Sequence, residues 1–159
     1  MKRFLIIALL VSFILTGCTV STTIQKGLEL NNLAFCEQIN GDRDFVERQN
    51  KTFSPSEVVY VYFEVSGFTS KKVESSFSYH PQVEVLVKGP SGSTIIERTT
   101  VVDQEVSTSS EAPYFYFPVN LTFPDNSADG KYTLTIYVKD ALGNGNITRN
   151  EQFYLKQGT

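Results

Sequence analysis

The sequence predicts an all-β fold built as a two-sheet β-sandwich of seven to nine strands. Three observations carry that expectation. Apolar and polar residues alternate in twos through most of the chain after about Leu33, and β-branched and aromatic residues dominate those stretches. Clusters of Gly, Pro, Asn, Asp and Ser separate the stretches, and no apolar stripe with a 3.6-residue period runs through the region. A sheet with one apolar side must bury that side, so several short strands of this kind call for two sheets face to face.

Taken in chain order, the first element is not a strand. Lys2 and Arg3 precede an almost unbroken apolar run from Phe4 to Leu15. That run is too short for a membrane-spanning helix, which needs about 20 apolar residues, and has the length of a signal-peptide core. It ends in Leu15-Thr16-Gly17-Cys18, which resembles the lipobox of bacterial lipoproteins: an apolar run, a small pair and a cysteine in that order. The resemblance implies that Cys18 receives a diacylglyceryl group and becomes the N-terminus after cleavage. A single acyl chain (a palmitate, for example) holds a protein only marginally, whereas two or three on one residue hold durably. The expected organisation is a signal peptide over 1–17, a lipidated N-terminus and tether over 18–32, and one domain over 33–157. Thr19 follows the anchor where a retention aspartate would favour the inner membrane. In a Gram-negative host this favours the outer membrane or cell surface.

Strands are expected near 33–39, 44–53, 58–66, 82–88, 94–102, 113–123, 131–139 and 147–156. In "VVYVYFEV", Val59, Val61, Phe63 and Val65 share one face and Val58, Tyr60, Tyr62 and Glu64 the other. Pro55 precedes that strand, where its missing N–H does least harm. "QVEVLVK" sets Val83, Val85 and Val87 against Glu84, Leu86 and Lys88. "YFYFPVNLTF" groups Phe115, Phe117, Val119, Leu121 and Phe123 opposite Tyr114, Tyr116, Asn120 and Thr122. "YTLTIYVK" turns Tyr132, Leu134, Ile136 and Val138 inward, and "FYLK" does the same for Phe153 and Leu155. "KGPSGS", "DNSADGK" and "DALGNGN" read as turns, and 69–81 and 106–113 as longer surface connections.

The stretch Asp129 to Leu155 resembles the last two strands of bacterial and archaeal immunoglobulin-like domains. Gly130, Tyr132, Leu134, Ile136, Val138, Asp140, Gly143 and Asn144 follow their loose pattern, then Phe153 and Leu155. The resemblance implies a tyrosine corner at Tyr132, its hydroxyl bonding backbone near the preceding turn. Leu134 stands where antibody domains carry a disulfide cysteine, so it also implies a bridge-free variant.

Charge and composition exclude several functions. The chain holds 14 basic and 17 acidic residues, and loss of Lys2 and Arg3 leaves a net charge of −5 on 142 residues. Such a surface gives no reason to expect nucleic-acid binding, and no polybasic patch to hold lipid headgroups. Cys36 has no partner once Cys18 is lipidated, so it is either a buried thiol or an intermolecular bridge. His80 is the single histidine and reads as a loop residue rather than a base or ligand. No phosphate loop, HExxH or GxSxG occurs, and no catalytic residue, metal or cofactor is assigned. The oxygen-rich turns at Asp125, Asn126, Asp129 and at Asp140, Asn144, Asn146 are weighed as calcium loops, but Asp and Asn also dominate ordinary turns. Asn50, Asn120 and Asn146 match the N-glycosylation sequon.

Tyr60, Tyr62, Tyr114, Tyr116, Tyr137 and Tyr154 fall opposite the expected core. Outward tyrosines stabilise strand pairing, and they also stack on sugars or pack on proteins. Tyr60, Tyr62, Tyr114 and Tyr116 form the candidate contact patch. The expected protein is non-enzymatic: a lipid-anchored cell-envelope domain that presents a structural surface or binds a protein or glycan partner. The alternative is an accessory or inhibitory domain acting on an envelope enzyme such as a protease.

Overall fold

The computed structural model describes residues 22–24 and 27–158. Cys18 and the expected signal helix lie outside the described residues. Thirteen strands and no helix occur among the described residues, so none of them forms a helix long and apolar enough to cross a membrane. In chain order they are β1 (Thr22–Ile24), β2 (Glu29–Gly41), β3 (Asp44–Glu47), β4 (Thr52–Phe53), β5 (Val59–Ser66), β6 (Ser70–Val73), β7 (Ser76–Tyr79), β8 (Pro81–Lys88), β9 (Thr94–Asp103), β10 (Val106–Thr108), β11 (Tyr114–Leu121), β12 (Gly130–Asp140) and β13 (Asn146–Leu155).

Two larger sheets hold most of the chain. One has the order β11-β5-β2-β3 and the other β4-β13-β12-β8-β9; a small third sheet runs β1-β6-β7-β10. All pairings are antiparallel except the two-residue parallel contact of β4 with β13. The core contains Val59, Val61, Phe63 and Val65 of β5 together with Val83, Val85 and Val87 of β8 and Leu134, Ile136 and Val138 of β12. Period-two alternation thus does what it predicts: one set of side chains from each sheet enters a shared, sandwich-like interior. Pro118 sits within β11, an edge strand, where a missing N–H costs no ladder bond.

The all-β expectation holds, and its details need three corrections. The strand count exceeds seven to nine because short strands of low apolar content also pair. The segments 69–81 and 106–113, expected as surface connections, contain β6, β7 and β10. These strands are rich in Ser, Lys and Thr, so they carry little alternation to read; neighbours and a tight turn at Glu74 (φ 54°) hold them. The expected strand at 44–53 divides into β3 and β4, and β2 begins at Glu29, so residues 29–32 belong to a sheet rather than to a tether.

Two contacts explain how the third sheet is held. Asp140 is wholly buried, and its carboxylate accepts the backbone N–H of Thr69 at 2.7 Å and of Leu142 at 3.1 Å. A side chain of β12 thereby fixes the residue before β6. Gly67 has φ +81°, and a Cβ there would collide with the carbonyl oxygen of Gly27, so only glycine lets the two segments cross. The tyrosine-corner bond is also present, since the Tyr132 hydroxyl donates to the Ala128 carbonyl at 2.8 Å.

Candidate functional site

The outward face of β5 and β11 is built as alternation requires, but it is not open along its length. Pairing of β11 with β5 sets Tyr114 opposite Ser66, Tyr116 opposite Glu64 and Asn120 opposite Tyr60. The β2–β3 hairpin folds over this face. Phe45 stacks on Tyr62 with centroids 4.3 Å apart, and Tyr116 stacks on Tyr62 at 5.9 Å. Tyr62 joins Ala34 and Cys36 in a second small core, with Ile39, Phe45 and Tyr60 packed against it.

That arrangement corrects the expectation for Tyr62, which is 0% exposed and cannot serve as an outer contact. Alternation places a residue on a face of its sheet and does not say whether a distant hairpin covers that face. Tyr116 is exposed, while Tyr60 and Tyr114 are half-buried. Burial is the main reason the Tyr62 hydroxyl is pushed up to about 12.

The hairpin is pinned by a buried carboxylate. Glu64 is 3% exposed and accepts bonds from Arg43 Nε at 2.9 Å, Arg43 Nη2 at 3.0 Å, the Tyr62 hydroxyl at 2.9 Å and Asn32 Nδ2 at 2.9 Å. Arg43 holds the Glu64 carboxyl down to about 2, with Tyr62 and Asn32 adding to the effect against burial. The same guanidinium lies 4.4 Å over the Tyr114 ring, whose hydroxyl donates to Asp42 Oδ2 at 2.8 Å. Arg43 itself adopts φ 55° in the turn, a conformation this network holds in place.

Cys36 is a buried free thiol, 1% exposed, donating to the Ala34 carbonyl at 3.7 Å. Burial pushes it up to about 11, far from the depressed values of reactive cysteines. Labelling with a disulfide reagent at pH 8 is therefore expected to be slow in the native protein and fast in urea. Equal rates would show that the thiol is open.

The outward face of the five-stranded sheet was not singled out from the sequence, and it carries a groove of about 490 Å³. Pairing aligns Thr148, Tyr137, Glu84 and Thr100 in one row across β13, β12, β8 and β9. The next row runs Asn146, Lys139, Gln82 and Asp103. The Arg98 guanidinium stacks 4.0 Å over the Tyr137 ring and donates Nε to Glu84 at 2.9 Å. Asp103 accepts Gln82 Nε2 at 3.0 Å and lies 2.7 Å from His80 Nε2; these contacts, Gln82 first, hold its carboxyl below the usual range. Tyr137 was read as outward. Its neighbours across the sheet were not foreseeable, because nothing local says that β12 lies between β8 and β13.

The remaining candidates resolve into structural roles. Asp140 and Asp129 spend oxygens on backbone N–H groups, Asp129 accepting from Gln157 N at 2.9 Å, which is the turn role of these residues. Among the described residues no group of three or more His, Cys, Asp or Glu side chains is placed to hold a metal. Asn50, Asn120 and Asn146 are all exposed.

The fold thus defines an all-β, sandwich-like domain with one half-covered tyrosine face and one open polar face. No family model matches the chain, and no curated protein matches it either. Solved structures are similar to it in shape. The C-terminal domain of Wzt aligns with a TM-score of 0.52 at 12% identity, over 87% of this chain and 80% of that one. A family 123 glycoside hydrolase from Clostridium perfringens, described in connection with glycolipid glycan hydrolysis, aligns at 0.53 and 9% identity over 84% of this chain. The sporulation control protein Spo0M from Bacillus subtilis aligns at 0.43 and 10% identity over 82% of this chain. The match spans about a quarter of the hydrolase (28%) and half of Spo0M (49%), and the likeness to the Wzt domain and the hydrolase concerns the fold alone.

Proposed function

We propose that the protein is a lipid-anchored component of the cell envelope. In this reading Cys18 holds one immunoglobulin-like domain outside the cytosol, and the domain binds a partner rather than catalysing a reaction. The observation that carries the reading is the order of the N-terminal sequence: two cations, an apolar run, Leu-Thr-Gly and then Cys18. The Tyr132–Ala128 bond supports the immunoglobulin-like assignment, since it is the corner contact expected of that resemblance. A thiol pushed up to about 11 by burial is a poor nucleophile at neutral pH, which argues against Cys36 as a catalytic nucleophile. If the host has two membranes, Thr19 favours the outer one.

The test is metabolic labelling with an alkyne-bearing palmitate in a bacterial host. The wild-type chain is expected to take up label and to have lost residues 1–17, while Cys18→Ala takes up none and retains residues 1–17 by intact mass. Label that persists in Cys18→Ala, or a full-length chain in the cytosol with an unmodified Cys18, would overturn the reading.

A further inference from the structure

We propose that the groove on the outer face of β8, β9, β12 and β13 is a binding site for an uncharged carbohydrate chain. The inference rests on the reading of the domain as displayed in the envelope, where such chains are found. It adds the ligand class and the residues that meet it.

The size of the groove, about 490 Å³, lies within the range of small-molecule sites. Its charges cancel. Arg98 and Lys139 face Glu84 and Asp103, Arg98 being bonded to Glu84 and Asp103 to Gln82 and His80. An anionic ligand would meet two carboxylates, and a cationic one would meet Arg98 and Lys139. Beside these charges the groove offers uncharged groups: the hydroxyls of Thr100 and Thr148, the amide of Asn146 and the amide oxygen of Gln82, whose nitrogen is bonded to Asp103. Hydroxyls and amides donate and accept at the same site, as a ligand made of alcohol groups requires. They stand on β13, β8 and β9, with Tyr137 and Lys139 of β12 between β13 and β8; neighbouring strands lie about 4.8 Å apart, so an extended ligand crossing the sheet meets them in turn.

The groove also supplies a flat surface. The guanidinium of Arg98 is stacked on Tyr137, and the Arg98 side chain remains 53% exposed. Glu84 fixes one edge of the guanidinium. The stacked pair forms a planar platform of the kind on which the C–H face of a sugar ring packs. An apolar peptide would find little here, because Gln82, Glu84, Arg98, Asp103 and Lys139 line the groove.

The experiment uses the full lipidated chain in detergent micelles and isothermal titration calorimetry. The probes are the hexamers of maltose-, cellulose-, mannan- and chitin-type sugars, neutral polysaccharide from the source strain's envelope, and polygalacturonate as an acidic control. At least one neutral probe is expected to bind. Tyr137→Ala should weaken it by about tenfold or more, equivalent to about 1.4 kcal/mol. Arg98→Lys should weaken it too, since an ammonium presents no plane, while Tyr116→Ala on the other sheet should leave it unchanged. If Tyr137→Ala fails to fold, Thr148→Trp, which fills the groove from an outward position, takes its place and should abolish binding. The site is refuted if no neutral probe binds, if polygalacturonate binds more tightly, or if only Tyr116→Ala weakens binding. Palmitate labelling of the same preparations reports the anchor separately, so loss of the groove and loss of the envelope reading are distinct results.

Discussion

Phe153→Ala is expected to lower the unfolding free energy by about 3–5 kcal/mol, more than any other single truncation considered. Phe153 is 0% exposed and lies at the centre of an aromatic cluster. Its ring centroid is 5.5 Å from Phe35, 6.2 Å from Phe53, 5.6 Å from Phe123 and 5.6 Å from Tyr132. These neighbours come from β2, β4, the segment after β11 and β12, so the cavity has walls from both large sheets. No single strand can shift to close it, because the walls on β2, β4 and β12 are also tied into ladders. Phe153→Leu keeps most of the volume and should cost about 1–2 kcal/mol. Small domains have only about 5–15 kcal/mol in all, and there is no disulfide among the described residues to offset the loss. Urea unfolding with an unchanged slope would measure the difference. A loss below about 1 kcal/mol for Phe153→Ala would show that the aromatic cluster does not hold the sheets together.

Glu64→Ala should cost about 2–3 kcal/mol, because it removes the 2.9 Å acceptor of the buried Tyr62 hydroxyl, which keeps only the Arg43 backbone N–H at 3.1 Å and a long contact to Asp42, and releases the Arg43 guanidinium and Asn32 together. The value sits below that of a fully buried pair because the Arg43 side chain is 59% exposed. The acid dependence has a definite sign. The folded-state carboxyl titrates near 2 and the unfolded one near 4.5, so the contribution is complete above about pH 4.5 and disappears as pH falls toward 2. Glu64→Gln should therefore be less stable than wild type at pH 7, with the gap closing between pH 4.5 and 2. A gap that stayed constant over that interval would show that the ion pair contributes nothing. Function enters through the hairpin. Once Glu64 no longer holds Arg43, the β2–β3 turn loses its main tie, and Tyr62 gains exposure that tyrosine fluorescence quenching can follow.

How much could be read in advance depends on what each residue reports. β5, β8, β11, β12 and β13 were legible to within a residue or two because each buries one face, and alternation is the imprint of that burial. The strands β6, β7 and β10 were read as loops because they bury little and are held by neighbours and by the Thr69–Asp140 bond. Cys36, left open between a buried thiol and a bridge, lies in the second small core. The candidate patch was half legible: Tyr116 and Tyr62 do stack, as adjoining tyrosines should, but the hairpin closes over Tyr62.

By itself the sequence determined which side of each long strand faces inward and where the main turns fall, and it carries the apolar run and Leu-Thr-Gly-Cys order on which the proposed anchor rests. These are local properties, written in composition and in the spacing of neighbours along the chain. Only the tertiary structure decided that Arg43 reaches Glu64 across 21 positions, and that Tyr137 lies between Glu84 and Thr148. Such contacts depend on strand order and on how a hairpin bends, and both follow from the packing of the whole core rather than from any one segment.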